Sequence, residues 1–326
     1  MPSKLALFVL TAFISLGIGF FLGTAAPQKE TETDIYTSEK HTKIPGSLIS
    51  PLIECEQPKA YTLGHYKRLE EKIKSLTASF IDSGSASEIS VYFRDLNNGP
   101  WIGIGEDQDF SPASLLKLPL LMTYYKASEA NPNLLNETVT IKPEDVMSAH
   151  PELQFITPKA PLSHNKTYTV SQIIENLIIY SDNGAWYTLV SYIPEETLAT
   201  IYEDLAVPFP SVDKPADFIS VRQYSSFFRV LYNASYLSEE MSEKALRLLA
   251  RTDFNGGLKK GVPENVTVAH KFGERLVTAD IRQFHDCGII YHPKRPYILC
   301  VMTRGKDFPK LTEMISEISR IVYQEF

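Results

Sequence analysis

The strand-forming segments of this chain lie at its two ends, with helical patterns between them, and this order restricts the fold more than any other feature. Near the start, Glu88 to Leu96 reads as a strand, Asn97-Asn98-Gly99-Pro100 turns the chain, and Trp101 to Ile104 returns it. Helical periodicity then dominates from Pro112 to about Leu249. Strands resume at Val266 to Phe272 and continue in a hairpin, Cys287 to Tyr291 and Tyr297 to Val301, around His292-Pro293-Lys294-Arg295-Pro296. A charged amphipathic helix near Tyr66 to Ile81 precedes the first strand, and a helix from about Pro309 to Tyr323 closes the chain. Strands so far apart bury a common face only if one sheet is assembled from both ends, with a helical lobe inserted. The expected class is α/β, more closely α+β: an antiparallel sheet flanked by terminal helices. Its sheet lobe is 60–110 with 257–326, and its helical lobe is 111–256.

The 326 residues begin Met1-Pro2-Ser3-Lys4, followed by an uncharged run from Leu5 to Leu22. That is close to the roughly 17 to 25 residues that cross a bilayer. Residues 1–26 read as an uncleaved signal anchor, and Thr24-Ala25-Ala26 leaves cleavage as a signal peptide open. Lys4 precedes the run while Glu30, Glu32 and Asp34 follow it, which directs the bulk of the chain outward. Residues 27–59 are polar, lack sustained periodicity and read as an extracytoplasmic tether. The formal net charge is −7 with no basic run, which argues against a nucleic-acid partner. Of three cysteines, Cys55 falls in the tether. Cys287 and Cys300 flank the hairpin and read equally as a disulfide or as two buried thiols on adjacent strands.

Three short words in fixed order carry the chemistry: Ser114-Leu115-Leu116-Lys117, Ser181-Asp182-Asn183 and Lys271-Phe272-Gly273. Their contexts separate them from chance matches. Ser111-Pro112 reads as a helix N-cap with proline at the first helical position, so Ser114 falls in the first turn. Residues three apart share a helix face, which brings the Lys117 amine to the Ser114 hydroxyl near the positive end of the helix dipole. Pro119 removes one backbone bond and should bend that helix near its start. The competing Ser163-His164-Asn165-Lys166 lies in a polar stretch, and Ser211-Val212-Asp213-Lys214 is hemmed in by Pro208, Pro210 and Pro215. Ser181 ends the apolar helical run from Val170 to Tyr180, with Gly184 and Ala185 leaving room for close approach. Lys271 sits in the β-prone Val266 to Phe272, and Gly273 permits a neighbouring backbone or substrate to come near.

In this order the three words resemble the S-x-x-K, S-D-N and K-T-G elements of class A β-lactamases and penicillin-binding proteins. The resemblance spans nearly all of the chain after the tether, and the element order matches the class A fold. It implies Ser114 as acylating nucleophile and Lys117 as acceptor of its proton. It further implies Ser181 as relay to the leaving nitrogen, Asn183 as holder of a substrate amide, and Lys271 as positive charge toward a substrate carboxylate. Phe272, Gly273 and Glu274 complete the expected substrate contacts, with the oxyanion between the backbone N–H groups of Ser114 and Glu274. The implied substrates are a β-lactam or a cell-wall peptide ending in D-Ala-D-Ala, and no metal or cofactor is implied.

Two departures direct the reading. Phe272 replaces a threonine or serine whose hydroxyl helps bind the substrate carboxylate, leaving Arg275, Arg282 or Arg304 as compensating partners. The E-x-x-L-N loop that activates the deacylating water is missing. The matching stretch, Val207 to Asp217, offers only Asp213 and Asp217. The sequence therefore favours a penicillin-binding or peptidase-like enzyme with slow deacylation. A true β-lactamase, with Asp213 or Asp217 in place of the glutamate, and a tethered sensor or scaffold without turnover stand as alternatives. The seven histidines lack metal-binding spacing, and His270 beside Lys271 reads as a packed or capping residue. Tyr224 to Tyr232 reads as the buried face of a helix.

Overall fold

The two ends of the chain do meet in one sheet. The computed structural model describes residues 46–50, 64–97, 100–144, 154–210 and 216–326, all within one compact unit, Thr42–Phe326. The proposed anchor, Cys55 and Asp213 lie outside the described residues. Strands β1 (Glu88–Asp95) and β2 (Trp101–Ile104) come from the start, and β7 (Val268–Thr278), β8 (Ile281–Ile290) and β9 (Tyr297–Gly305) from the end. They form an antiparallel sheet of order β2-β1-β9-β8-β7, so β7 is an edge strand. Between them run short strands β3 (Asp109–Phe110), β4 (Thr138–Thr140), β5 (Thr167–Thr169) and β6 (Ile219–Ser220). The intervening helices are α2 (Lys117–Ala130), α3 (Val170–Ile179), α4 (Asn183–Tyr192), α5 (Glu195–Asp204), α6 (Val221–Tyr232), α7 (Glu239–Leu249) and α8 (Gly257–Lys260). Helices α1 (Gly64–Asp82) and α9 (Phe308–Gln324) bracket the whole.

Strand alternation divides the interior into two cores. One face of the sheet, with Val91, Phe93, Phe272, Phe284, Leu299 and Val301, packs on the terminal helices. Leu311, Ile315, Ile318 and Val322 of α9 recur at three- and four-residue spacing and are fully buried there, each contributing about 2 kcal/mol. The other face, with Tyr92, Ala269, Cys287, Ile289, Cys300 and Met302, meets the helical lobe. Local chemistry sets the helix starts. Thr169 with Gln172, and Ser220 with Gln223, form reciprocal capping boxes at α3 and α6.

The structure corrects several expectations. Ser111 does not cap a helix: residues Ala113–Leu116 form a 3-10 turn after Pro112, which offers no side-chain cap. Pro119 then falls in the first turn of α2, where backbone N–H groups need no helical partner. The strand expected to end at Phe272 runs on to Thr278 and pairs with β8 from Ile281, so the end of the chain holds two consecutive hairpins. Charged residues in 274–286 masked that alternation. Within the helical lobe, β3 pairs with β6 and β4 with β5. Residues 46–50, assigned to the tether by the sequence, dock on the domain. Glu243 Oε2 accepts from Ser47 Oγ and from the Leu48 and Ile49 N–H groups, and Tyr291 Oη donates to Leu48 O. Cys287 and Cys300 face each other on β8 and β9 and are joined in a disulfide.

Candidate active site

Both candidate serines sit on strained backbone. Ala113, immediately before Ser114, has φ of 50°, and Ser181 has φ of 55°, a region that residues with a Cβ seldom enter. Ser181 occupies the corner between α3 and α4, where Asp182 caps α4 by accepting from the Gly184 and Ala185 N–H groups. Asn183 is therefore the first residue of α4, one element later than the apolar run suggested. The second carboxylate oxygen of Asp182 accepts from Leu162 N–H at 2.7 Å, which ties the corner to the preceding loop.

Lys117 links the serines. Its Nζ lies 3.0 Å from Ser114 Oγ and 3.1 Å from Ser181 Oγ, and it donates to Ser181 O at 2.6 Å and Asn183 Oδ1 at 2.7 Å. Burial lowers the Lys117 amine to about 7, against the opposing pull of Asp182 and Glu274. A neutral amine has two N–H donors and one lone pair. The carbonyl and the amide oxygen take the donors, leaving the lone pair for the Ser114 O–H. Lys271, from β7, donates to Ser181 Oγ at 2.9 Å and to Phe272 O at 2.8 Å. Burial, reinforced by the nearby Lys117, pushes its amine well below the usual lysine range. Ser114, Lys117, Ser181, Asn183 and Lys271 thus form one connected cluster.

Gly273 brings the edge strand onto the Ser114 turn. A Cβ there would stand 2.7 Å from Pro112 O and 3.0 Å from Leu115 N, so no other residue fits without moving backbone. Phe272 does not line the opening as expected. Alternation turns it to the terminal-helix face, where it is 2% exposed and its ring lies 4.5 Å from that of Phe254. Lys271 Nζ lies 4.1 Å from the Phe272 ring centroid. His270, on the same face, binds Asp286 at 2.8 Å, as a packed residue should.

The sequence reading missed a brace behind Ser114. All three polar groups of Ser111 are held by the end of the sheet. Its N–H donates to Gln283 Oε1 at 3.0 Å, its hydroxyl accepts from Arg275 at 2.6 Å, and its carbonyl accepts from His285 Nε2 at 2.9 Å. Because Thr303 N–H donates to His285 Nδ1 at 3.2 Å, the ring proton resides on Nε2. Burial lowers His285 to about 4, which keeps it neutral in this role. The available signal was the alternation of polar Gln283 and His285 along one strand.

Both carboxylate oxygens of Asp217 are engaged by other side chains. One of its oxygens accepts from Gln283 at 2.9 Å and the other from Arg304 at 2.7 Å. Arg304 also pairs with Glu88, and Arg282 donates to Ala279 O and Lys306 O. Of the three arginines considered, Arg275 alone touches the turn that carries Ser114.

The structure of the chain matches PBP-A, solved as a mutant in an acyl-enzyme complex with penicillin G, with a TM-score of 0.68 at 22% identity, over 83% of this chain and 98% of that one. A β-lactamase from Sphaerobacter thermophilus matches with a TM-score of 0.66 at 19% identity, over 78% and 96%. One from Chitinophaga pinensis matches with a TM-score of 0.67 at 16% identity, over 79% and 98%. These likenesses establish the class A β-lactamase-like fold. Comparison with curated proteins gives no match. The family model described as the β-lactamase enzyme family matches residues 68–326, and the chain belongs to that family.

Proposed function

We propose that this β-lactamase-family serine hydrolase performs acyl transfer at Ser114 on a cyclic or peptide amide. The observation that carries the reading is the Lys117 amine, 3.0 Å from Ser114 Oγ with both N–H donors engaged elsewhere. Its lone pair takes the Ser114 proton as Oγ forms a bond to the substrate carbonyl carbon, a step worth roughly 10²- to 10⁴-fold. Negative charge then gathers on the carbonyl oxygen, between the backbone N–H groups of Ser114 and Glu274. The carbon–nitrogen bond breaks as Ser181 gives its proton to the leaving nitrogen. Lys117 returns the first proton to Ser181, and Lys271 holds the Ser181 oxygen throughout. Protons and charge balance, and the product is an ester on Ser114.

Release of that ester is slow in this reading. Of the two carboxylates considered for water activation, Asp213 lies outside the described residues and Asp217 is engaged by Gln283 and Arg304. This favours a penicillin-binding or peptidase-like enzyme acting on β-lactams or cell-wall peptides. The apolar run 5–22 supports a membrane anchor, and the Cys287–Cys300 disulfide supports an extracytoplasmic location. The test is intact-protein mass spectrometry of the full chain after mixing with benzylpenicillin, alongside Ser114→Ala. An adduct that persists in the wild type and is lost in the variant is expected. Rapid loss of the adduct with continuing drug consumption would make the protein a β-lactamase, and no Ser114-dependent adduct in folded protein would refute acyl transfer.

A further inference from the structure

The Glu274 side chain has no role in the chemistry above, yet its carboxylate is the polar group nearest in sequence to the second oxyanion donor, the N–H of the same residue. Lys271 donates to Phe272 O and Thr252 to His270 O. The even-numbered backbone groups of β7 therefore face away from β8, toward the free edge. Residue 274 shares that parity, so its N–H is directed to the edge that Gly273 presses against the Ser114 turn.

The carboxylate at this position grips a different part of the chain. Ile156 N–H donates to Glu274 Oε1 at 2.9 Å and to Oε2 at 3.1 Å. The segment is held from the other side as well: the Phe155 ring stacks on Phe308 at 5.2 Å, and Ile156 packs on the core of the terminal-helix face. Residues 155 and 156, which precede β5 in the helical lobe, thus lie against Glu274, the β7 residue whose backbone N–H serves the oxyanion. Glu274 is half-buried, and both of its carboxylate oxygens accept from this segment.

We infer that Glu274 is a positioning residue: by clamping the 155–156 segment across the edge of β7, its carboxylate holds the residue 274 N–H in place to stabilise the oxyanion. This rests on acyl transfer at Ser114. A clamp acts on the rate of the bond-forming step and leaves initial binding of the acyl donor unchanged, since misplacing a preorganised donor lowers transition-state stabilisation selectively.

The test uses the full chain with benzylpenicillin as probe, resolving the limiting acylation rate constant from the half-saturating concentration. Glu274→Ala is expected to lower the limiting rate about 10- to 100-fold, with half-saturation moved less than about threefold. Glu274→Gln retains an acceptor of the same reach and is expected to stay within about fivefold of the wild-type rate, whereas Glu274→Asp, one methylene shorter, is expected to behave like alanine. A melting temperature is measured for each variant. Loss of stability in Glu274→Ala with an unchanged limiting rate would make the clamp merely structural and overturn the inference. A glutamine variant as slow as alanine would also overturn it, by assigning the effect to charge. If the wild type forms no Ser114 adduct, acyl transfer itself fails and the inference with it; a wild-type adduct unaffected by these substitutions refutes the inference alone.

Discussion

Replacing Gly273 with alanine tests whether the edge of the sheet and the Ser114 turn work as one unit. The added Cβ would lie 2.7 Å from Pro112 O, 3.0 Å from Leu115 N and 3.1 Å from Leu115 Cγ, where ordinary contact begins at 3.4 Å. Two of these three neighbours are backbone atoms and cannot rotate aside, so β7 and the turn must part by about 0.7 Å. Overpacking of this kind costs about 1 to 3 kcal/mol, or about 2 to 4 °C of melting temperature per kcal/mol in a domain somewhat smaller than this. The kinetic cost is larger. Separating the Ser114 and Glu274 N–H groups by most of an ångström should slow acylation about 10²-fold, as misplaced reacting groups do.

Gly261→Ala is the control. Its Cβ would meet Ser319 Cβ at 2.4 Å and Ser316 O at 2.5 Å, a clash at least as severe, but against α9 on the far side of the sheet. Adduct formation with benzylpenicillin would be followed by mass spectrometry well below each melting temperature. Gly273→Ala should lose acylation and some stability, and Gly261→Ala stability alone. If Gly273→Ala acylates within about threefold of the wild type, or if Gly261→Ala loses as much, the argument for a shared oxyanion edge is wrong.

Two further outcomes follow from burial of titrating groups. Acylation should rise with pH through about 7, because only the neutral Lys117 amine accepts the Ser114 proton; a rate–pH profile flat between 5.5 and 8.5, about 1.5 units either side, would remove Lys117 as the base. His285 has a folded value near 4, below its ordinary 6.5. The unfolded chain therefore takes up the proton first, so stability from the neutral ring is present above 6.5 and is lost as pH falls toward 4, by up to about 3 kcal/mol. Urea unfolding at pH 7 and pH 4.5 should show this loss in the wild type and a correspondingly smaller one in His285→Gln; equal losses would refute it.

Much of this architecture was legible because its signals are local. The ordered serine and lysine words, the β1–β2 pairing and the apolar spacing of α3 and α9 each depend on a few adjacent residues. What escaped depends on contacts distant in sequence. The brace on Ser111 joins residues more than 160 positions apart, and Gln283 and His285 look like ordinary polar residues until β8 is seen to turn them toward that loop. Phe272 was misjudged for a related reason: the motif gives its neighbours, but strand alternation gives its direction. Ser111 and Pro112 carried a genuine helix-start signal that tertiary contacts overrode, since the hydroxyl bonds Arg275 in place of a helical N–H.

The two lysines explain why so buried a site can hold a base at all. Lys117 and Lys271 lie 3.1 and 2.9 Å from the same Ser181 oxygen, so their amines are no more than 6.0 Å apart. At an effective dielectric of about 20, two unit charges at that distance repel by about 3 kcal/mol, near two pK units. A proton on Lys117 therefore discourages one on Lys271, in addition to the burial that discourages both. Asp182 and Glu274 pull the opposite way on Lys117 and leave it poised near neutrality. Replacing either carboxylate would deepen the neutral state of Lys117. The same carboxylate that clamps the oxyanion edge thus also limits how far the base can fall, and the mouth of the site couples the strength of the base to the geometry of the oxyanion donors.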